Sequence, residues 1–427
     1  MNKEGEMGKT VLSIKSDKFY INGSLIYSQI KDSNPNAWGL LMNARFIQGI
    51  FDDKAGKSRF NRFGRNFDTE QNTEELITAL PEWYQYGLRG FTVGFQGGGP
   101  CFTMDNYSID NNPFSSDGKE VEPGYLKRME KLIRAADELG MIVIVSFLYG
   151  AQTRFLKDDE AVKHAVKKAS NWLRDMKFTN VIIEIANEHN VDDFKIHPIV
   201  YTEKGVVDLI KTAKDESGGI PVGCSGTGGY FSEKIAEVSD VILIHGNGQT
   251  RQQLYNLIQK AKSIEPLRPI VCNEDSQALS QLQVTSKMQV SWGYYNNMTK
   301  QEPPVNWHIT SGEDLFFAHR MAEVLGIKTD EIPFENQFYL QGLEPDMTYE
   351  QKRWIRLASL YPEKIDHVIF YRNGEYFAAS YDDPFMIHFI CNWIQGAVTG
   401  TEAGEEWVAE VYLTSREKIV KSCRLLS

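Results

Sequence analysis

Cysteine is scarce in this sequence, with five residues among 427 and no C-x-x-C pair. An odd number at irregular spacing argues against a disulfide framework and gives no zinc motif. Two of the five, Cys224 and Cys272, lie inside predicted strands. There we expect them to be small, buried, apolar side chains.

Long apolar runs and excess positive charge are also missing. No stretch of 18 apolar residues occurs, so we predict no membrane span. The first residues, Met1 to Glu6, lack the apolar core of a signal peptide. The sequence therefore leaves open a cytoplasmic location or a secreted or periplasmic one after removal of a signal. The net charge of -11 argues against nucleic acid and anionic membranes as partners.

What the chain does contain is a regular alternation of short apolar runs with helical patterns. Eight runs rich in Val and Ile are typical of buried parallel strands. They are Ala44–Ile50, Gly90–Phe95, Met141–Phe147, Val181–Ala186, Ile220–Cys224, Val241–His245, Pro269–Asn273 and Met288–Trp292. The helices predicted between and after them are Thr73–Tyr86, Tyr125–Leu139, Asp159–Met176, Thr202–Glu216, Phe231–Val238, Arg251–Ile264, Gln277–Ser286 and Leu315–Leu325.

This alternation predicts an α/β fold, a (β/α)8 TIM barrel over residues 38–327. The alternative is an open doubly wound sheet, which needs a glycine-rich phosphate turn opening a helix after an early strand. Gln96-Gly-Gly-Gly-Pro100 follows the second strand, but its proline argues for a loop.

The two ends of the chain differ from the barrel pattern. Residues 1–37 alternate in polarity around Asn22-Gly23, a strong hairpin turn signal, and predict a short N-terminal β-hairpin. Residues 328–427 predict a small accessory region, partly antiparallel β, with a second such turn at Asn373-Gly374. Within it, we predict a helix over Tyr349–Ser359.

Two glutamates stand at the ends of predicted strands. Glu188 closes the run that starts at Val181, and Glu274 closes the run that starts at Pro269. The C-terminal ends of the strands carry the functional residues of (β/α)8 barrels. Two carboxylates on different strands can flank one bond, which is the arrangement that glycoside hydrolysis requires.

The segment Ile185-Ala-Asn-Glu-His resembles the Asn-Glu signature that ends strand four in clan A glycoside hydrolases. The resemblance implies that Glu188 is the acid/base, that Asn187 binds the sugar 2-hydroxyl, and that Glu274 is the nucleophile. It also implies a supporting role for His245 at the end of strand six and a sugar platform at Trp292. Two departures leave the family open: no Tyr lies near His245, and a His follows Glu188 where a Pro is common.

Other residues gain a role from position alone. Gln96 and Tyr149 end strands two and three, so they are predicted to contact a sugar. Trp307, in the loop after strand eight, either lines a subsite or packs the loop. Glu184 shares a strand face with Glu188 and is expected inside the barrel. Asp275 remains an alternative to its neighbour as the working carboxylate.

These observations predict a retaining β-glycosidase that acts on a carbohydrate substrate without a metal or an organic cofactor. Three alternatives remain. One is a metal-dependent barrel hydrolase that uses His189, His245 and Glu274. The others are a barrel that binds glycans without cleaving them and a phosphate-handling barrel, although the loops after strands seven and eight lack the glycine-rich sequence that phosphate binding needs. The oligomeric state is not indicated.

Overall fold

The structure is a computed structural model that describes residues 8–62, 66–100, 102–345 and 347–426. Its N-terminal part is a three-stranded antiparallel sheet of β1 (Leu12–Lys15), β2 (Lys18–Ile21) and β3 (Ser24–Leu25). Asn22 and Gly23 connect the last two strands with φ of 51° and 79°. Both angles are positive, as a tight type I′ hairpin turn requires, so the predicted hairpin is confirmed.

Eight parallel strands follow. They are β4 (Asn43–Arg45), β5 (Gly90–Gly94), β6 (Ile142–Tyr149), β7 (Val181–Asn187), β8 (Val222–Gly223), β9 (Ile242–His245), β10 (Ile270–Glu274) and β11 (Gly293–Tyr294). Six form one sheet in the order β11-β4-β5-β6-β7-β8, and β9 pairs with β10 in a second sheet. Within the part of the chain that the structure describes, no continuous ladder joins the two sheets. Single backbone hydrogen bonds do, from Cys272 to Ser291 (3.0 Å) and from Asp240 to Val222 (2.8 Å).

Helices separate these strands and cover their outer faces. They are α1 (Thr69–Gln85), α2 (Pro123–Leu139), α3 (Gly150–Thr153), α4 (Asp159–Asp175), α5 (Pro198–Tyr201), α6 (Glu203–Ser217), α7 (Glu233–Val238), α8 (Arg251–Lys262), α9 (Leu279–Lys287), α10 (Asn297–Lys300) and α11 (Glu313–Leu325). Local signals set their ends: Asp158 caps the first turn of α4, and Gly140 ends α2 in the left-handed conformation. Each of the eight predicted helices is present within a few residues. Among the described residues, no helix is long and apolar enough to cross a bilayer.

The C-terminal part is antiparallel. Its strands are β12 (Phe338–Gln341), β13 (Arg356–Ser359), β14 (Ile365–Arg372), β15 (Glu375–Ser380), β16 (His388–Phe389), β17 (Gln395–Gly396), β18 (Glu406–Leu413) and β19 (Lys418–Arg424). Four of them form a sheet in the order β15-β14-β18-β19, and Asn373-Gly374 makes the predicted turn between β14 and β15. This region has its own apolar cluster, which includes Val368, Phe370 and Trp407.

Three sequence predictions need correction. The predicted helix Tyr349–Ser359 is absent, because Glu350 and Gln351 have φ of 49° and 59° and the chain continues into β13, which pairs with β12. The first barrel strand ends at Arg45 rather than Ile50, since Phe46 turns into an aromatic cluster with Trp83 and Trp307. The eighth strand starts at Gly293 instead of covering Met288–Trp292.

Candidate active site

The structure brings the two predicted glutamates together. Glu274 is the last residue of β10, and Glu188 follows directly after β7 with a left-handed φ of 52°. A carboxylate oxygen of each glutamate and a ring nitrogen of His245 all lie within 4.8 Å of one another. The ends of three strands therefore place two carboxylates and an imidazole around one point.

His245 lies between the glutamates because of an irregularity in strand pairing. The register of β9 and β10 shifts between Cys272 and Glu274, so that Glu274 stands opposite His245. The His245 Nδ1 atom lies 3.0 Å from Oε1 of Glu188 and 3.7 Å from Oε2 of Glu274. Burial alone would lower the pKa of His245, but the carboxylates of Glu274 and Glu188 outweigh it and raise the pKa.

Arg45, at the end of β4, forms an ion pair with Glu274. Its Nε lies 2.9 Å from Oε2 of Glu274, and its Nη2 donates to Oδ1 of Asn187 at 2.9 Å. On the other oxygen of Glu274, Oε1 accepts a hydrogen bond of 2.9 Å from Nδ2 of Asn247. Sequence reasoning missed Arg45 and Asn247, although a charged residue inside the apolar run Ala44–Ile50 was a usable signal.

The two carboxylates have different surroundings. The side chain of Glu274 is only 4% exposed, whereas that of Glu188 is 19% exposed. Burial raises the pKa of Glu274 to about 7, against the opposing effects of Arg45 and His245. For Arg45 the effect of burial is the opposite, since burial alone would lower its pKa. The carboxylate of Glu274 raises the pKa of Arg45, so the guanidinium stays charged. Glu274 is thus buried beside a guanidinium and an amide donor, and Glu188 is partly exposed.

Trp292 does not lie where the sequence placed it. Its indole is fully buried, packs 5.7 Å from the ring of Phe317, and donates a 2.8 Å hydrogen bond to Oδ2 of Asp275. The later start of β11 explains this. Trp292 precedes the strand, and its indole packs against Phe317 of α11. The structure therefore gives Trp292 no open face on which a sugar could stack.

Asp275, the residue after Glu274, is enclosed in the same way. It is fully buried, and burial raises its pKa to about 7, even though hydrogen bonds from Trp292 and Ser276 favour the charged form. The absence of a side chain at Gly246 makes room for it, because a Cβ there would lie 2.3 Å from Oδ2 of Asp275. The geometry thus favours Glu274 over Asp275 as the carboxylate that faces Glu188.

The remaining residues that were predicted to contact a sugar or line a subsite are Gln96, Tyr149 and Trp307. Gln96 is fully buried, and its Oε1 accepts from the backbone of Tyr149 and the hydroxyl of Thr153, each at 3.0 Å. It therefore holds the β6 end in place instead of facing a ligand. Tyr149 itself is half-buried at that strand end. Trp307 is 1% exposed and donates to Asn72, so it packs its loop.

His189 does not join the central group. Its Nδ1 faces the carbonyl of Val200 at 3.3 Å, its ring packs edge-on against Tyr230, and burial lowers its pKa to about 4. The proposed set of His189, His245 and Glu274 is therefore not assembled. Among the described residues, a cation could instead meet Glu188, His245 and Glu274. Arg45 already places a positive charge against that Glu274 carboxylate, which opposes a second cation.

Glu184 lies in the interior beneath the strand ends, as its position on β7 predicts. It is fully buried, and its Oε1 accepts a 2.9 Å hydrogen bond from Nδ2 of Asn273. Glu184 and Asn273 therefore form a polar layer beneath Glu188 and Glu274.

Comparison with known proteins supports the fold. No family model matches the sequence, and no curated protein matches it significantly. A candidate glycoside hydrolase of Bacteroides vulgatus superposes with a TM-score of 0.51 at 10% identity, over 97% of this chain and 76% of that one. A β-glucuronidase of Parabacteroides merdae gives 0.43 at 11% identity, over 97% and 50%. A candidate β-galactosidase of Bacteroides fragilis gives 0.43 at 12% identity, over 98% and 58%.

The chain thus spans about half the length of the β-glucuronidase with which it was compared. At 10% identity, the likeness to the Bacteroides vulgatus protein concerns the fold and not the activity. The predicted resemblance to barrel glycoside hydrolases is confirmed at that level. Any activity has to be argued from the site itself.

Proposed function

We propose that this protein is a retaining glycoside hydrolase that cleaves a β-glycosidic bond by double displacement. The observation that carries the proposal is the closeness of the Glu188 and Glu274 carboxylates, since one oxygen of each lies within 4.8 Å of one oxygen of the other. Retaining enzymes keep their two carboxyl groups about 5–5.5 Å apart, because one of them attacks the sugar directly. Inverting enzymes need roughly 6.5–9.5 Å to admit a water.

The surroundings of the two groups support separate roles. Glu274 is held by Arg45 and Asn247, which favour its carboxylate and fix its orientation, as a nucleophile requires. Glu188 is more exposed and is positioned to reach the leaving oxygen and, later, a water. Burial raises the pKa of Glu274 to about 7 against the opposing charges of Arg45 and His245, so the nucleophilic carboxylate form predominates above that pH.

In the first step, Glu188 gives its proton to the glycosidic oxygen while Glu274 attacks the anomeric carbon and the bond to the leaving group breaks. In the second step, Glu188 takes a proton from water, whose oxygen displaces Glu274 from the same carbon. The two displacements restore both carboxyl groups and retain the anomeric configuration. Asn187, fixed by Arg45, is the group we assign to the 2-hydroxyl of the sugar.

We further propose that the two parallel sheets are one (β/α)8 barrel. The bonds from Cys272 to Ser291 and from Asp240 to Val222 lie at the two junctions that closure needs, and the strands follow one another in barrel order. Residues 38–327 then form the catalytic barrel, with residues 1–37 and 328–427 as appended β regions. Closure explains why the ends of β4, β7, β9 and β10 meet at one point.

The test uses a panel of 4-nitrophenyl β-glycosides with wild type, Glu188→Ala and Glu274→Ala, each with and without azide. We expect wild type to cleave one glycoside and both variants to be inactive, with azide restoring turnover. Azide enters from opposite faces, so proton NMR should find a β-azide from Glu188→Ala and an α-azide from Glu274→Ala.

Glu331→Ala, at an exposed glutamate, is the control and should retain wild-type activity. Wild-type turnover should also survive EDTA, since the proposed chemistry uses no metal. An inverted first product, or full activity of Glu274→Ala, contradicts the assignment. Loss of turnover with EDTA would favour the metal alternative at Glu188, His245 and Glu274.

A further inference from the structure

Aromatic side chains beside Glu274 come from two distant parts of the chain. The ring of Tyr295, just after β11, lies 5.4 Å from the guanidinium carbon of Arg45. The indole of Trp393 lies 5.4 Å from the ring of Tyr295, tilted by 30°. Tyr295 is buried, whereas Trp393 is partly exposed. A series of contacts thus leads from the nucleophile through Arg45 and Tyr295 to an accessible indole.

Trp393 lies at the tip of a short hairpin formed by β16 and β17, residues 388–396. Two hydrogen bonds fix this hairpin to the barrel. Nδ2 of Asn392 donates to the carbonyl of Gln249 at 2.9 Å, and Nδ2 of Asn297 donates to the carbonyl of Trp393 at 3.1 Å. Gln249 follows β9 and Asn297 follows β11, so the hairpin bridges the loops on either side of β10, which carries Glu274.

The position of Trp393 relative to the two carboxylates indicates which part of a substrate it meets. Glu188 lies among groups that follow β7 and β8, where its backbone N–H donates to the hydroxyl of Ser225. The leaving group departs on the side of the acid, and the sugar that is transferred stays on the side of the nucleophile. Arg45, Tyr295 and Trp393 are all on the nucleophile side.

We propose that Trp393 stacks on the C–H face of the sugar that is transferred to Glu274, so that the C-terminal hairpin forms part of the glycone site. This inference rests on the proposed function and narrows its substrate class. Gluco- and galacto-configured pyranosides present several C–H groups on one face, and an indole offers a flat apolar surface to them. Trp393 thereby takes the place that the sequence gave to Trp292.

The experiment compares wild type, Trp393→Ala, Trp393→Phe and Ile394→Ala. Ile394 is the matched control, because it is 47% exposed on the same hairpin tip. The substrates share the glycone that wild type cleaves and carry either a 4-nitrophenyl or a methyl aglycone. We expect Trp393→Ala to raise KM and to lower kcat/KM roughly tenfold for both aglycones alike, Trp393→Phe to recover most of this, and Ile394→Ala to match wild type.

Three outcomes overturn the inference: an unchanged kcat/KM in Trp393→Ala, a loss confined to one aglycone, or an unchanged KM with a displaced acidic limb of the pH profile. The last would show that Trp393 acts only through Arg45 and Glu274. Thermal melting checks that each variant is folded.

Isothermal titration of methyl β-glycosides into wild type and Trp393→Ala separates this inference from the proposed function. It applies even if wild type cleaves no glycoside, which would count against the proposed function alone. Binding by wild type that weakens roughly tenfold in Trp393→Ala supports the stacking role. Equal binding by the two proteins, or none by either, overturns it.

Discussion

Among the described residues, two Arg–Glu pairs have both side chains buried. They differ in how many hydrogen bonds the arginine makes. In the first, Arg356 of β13 binds both oxygens of Glu313 in α11 through Nε and Nη2, while its Nη1 donates to the carbonyl of Trp354. In the second, Arg45 meets one oxygen of Glu274, and its Nη1 has no hydrogen-bond partner among the described residues.

This is the difference expected between a structural pair and, under the proposed function, a reactive one. Glu313 also accepts a 2.9 Å hydrogen bond from Asn296, so its oxygens are fully engaged in joining the C-terminal region to α11. Glu274 is less strongly held, and burial raises its pKa to about 7. Under the proposed function, Glu274 meets one guanidinium nitrogen and one amide and can still attack a carbon, whereas Glu313 is held by two nitrogens of the same guanidinium.

The largest expected effect is on catalysis at the second pair. Glu274→Gln should lower kcat/KM by about four orders of magnitude, because the neutral amide cannot form the covalent intermediate. The same variant should also be less stable than wild type, because it leaves Arg45 buried without a counter-charge. Aryl glycoside kinetics and urea denaturation measure the two quantities. Wild-type activity of Glu274→Gln would contradict the proposal that Glu274 is the nucleophile.

The next largest effect is on stability at the first pair. Glu313→Gln leaves Arg356 buried without a counter-charge, so we expect a loss of about 3–5 kcal/mol in the free energy of unfolding. The folded fraction should keep its chemistry. Glu323→Gln, in the same helix but 56% exposed, is the control and should cost no more than about 1 kcal/mol. Equal losses in the two variants would show that Glu313 is not structurally special.

A smaller effect tests the donor on the far side of Glu274. Wild-type kcat/KM should fall below an acidic limb near pH 7, because protonation of Glu274 removes the nucleophile. In Asn247→Ala the carboxylate loses a donor that favours its charged form. We expect the limb to move to higher pH and kcat/KM to fall about 10- to 100-fold. Asn256→Ala, at an exposed site on α8, should leave the profile unchanged.

The smallest effect concerns Asp275, the buried neighbour. Its folded pKa of about 7 lies above the ordinary value of 3.8, so the folded state binds more protons than the unfolded state between these pH values. Stability should therefore decrease as pH rises from 5 to 7, and Asp275 should account for roughly 2 kcal/mol of that decrease. Urea denaturation of Asp275→Asn at several pH values should show a flatter dependence. An unchanged slope would refute the assignment.

The sequence was informative where the signal was local. Glu188 and Glu274 were found because each ends a short apolar run, and helix ends such as Gly140 follow from residue preference. The turns at Asn22 and Asn373 were found for the same reason, since each precedes a glycine and demands positive φ. In these cases, neighbouring residues fix the local structure before tertiary contacts act.

The sequence was uninformative where distant segments decide the outcome. Nothing near Arg45 reveals that Glu274, 229 positions away, is its partner. Trp292 was misplaced because the eighth strand begins after it, at Gly293, and its indole packs against Phe317. Trp393 shows no local sign of a site, since only the folded hairpin brings it to Tyr295. The positions of Glu188 and Glu274 at strand ends were thus predictable, but their surroundings depend on tertiary structure.

The attachment of the hairpin bears on how such a protein could evolve or be re-engineered. Because residues 388–396 rest on barrel loops and Arg356 neutralises Glu313 of α11, the barrel and the C-terminal region cannot be exchanged as independent modules. A recombinant that joined residues 38–327 to a foreign appendage would leave Glu313 without its guanidinium partner and would lose the hydrogen bonds that hold the hairpin. An exchange that preserves these contacts therefore has to keep Arg356 and both anchoring asparagines, Asn392 on the hairpin and Asn297 on α10.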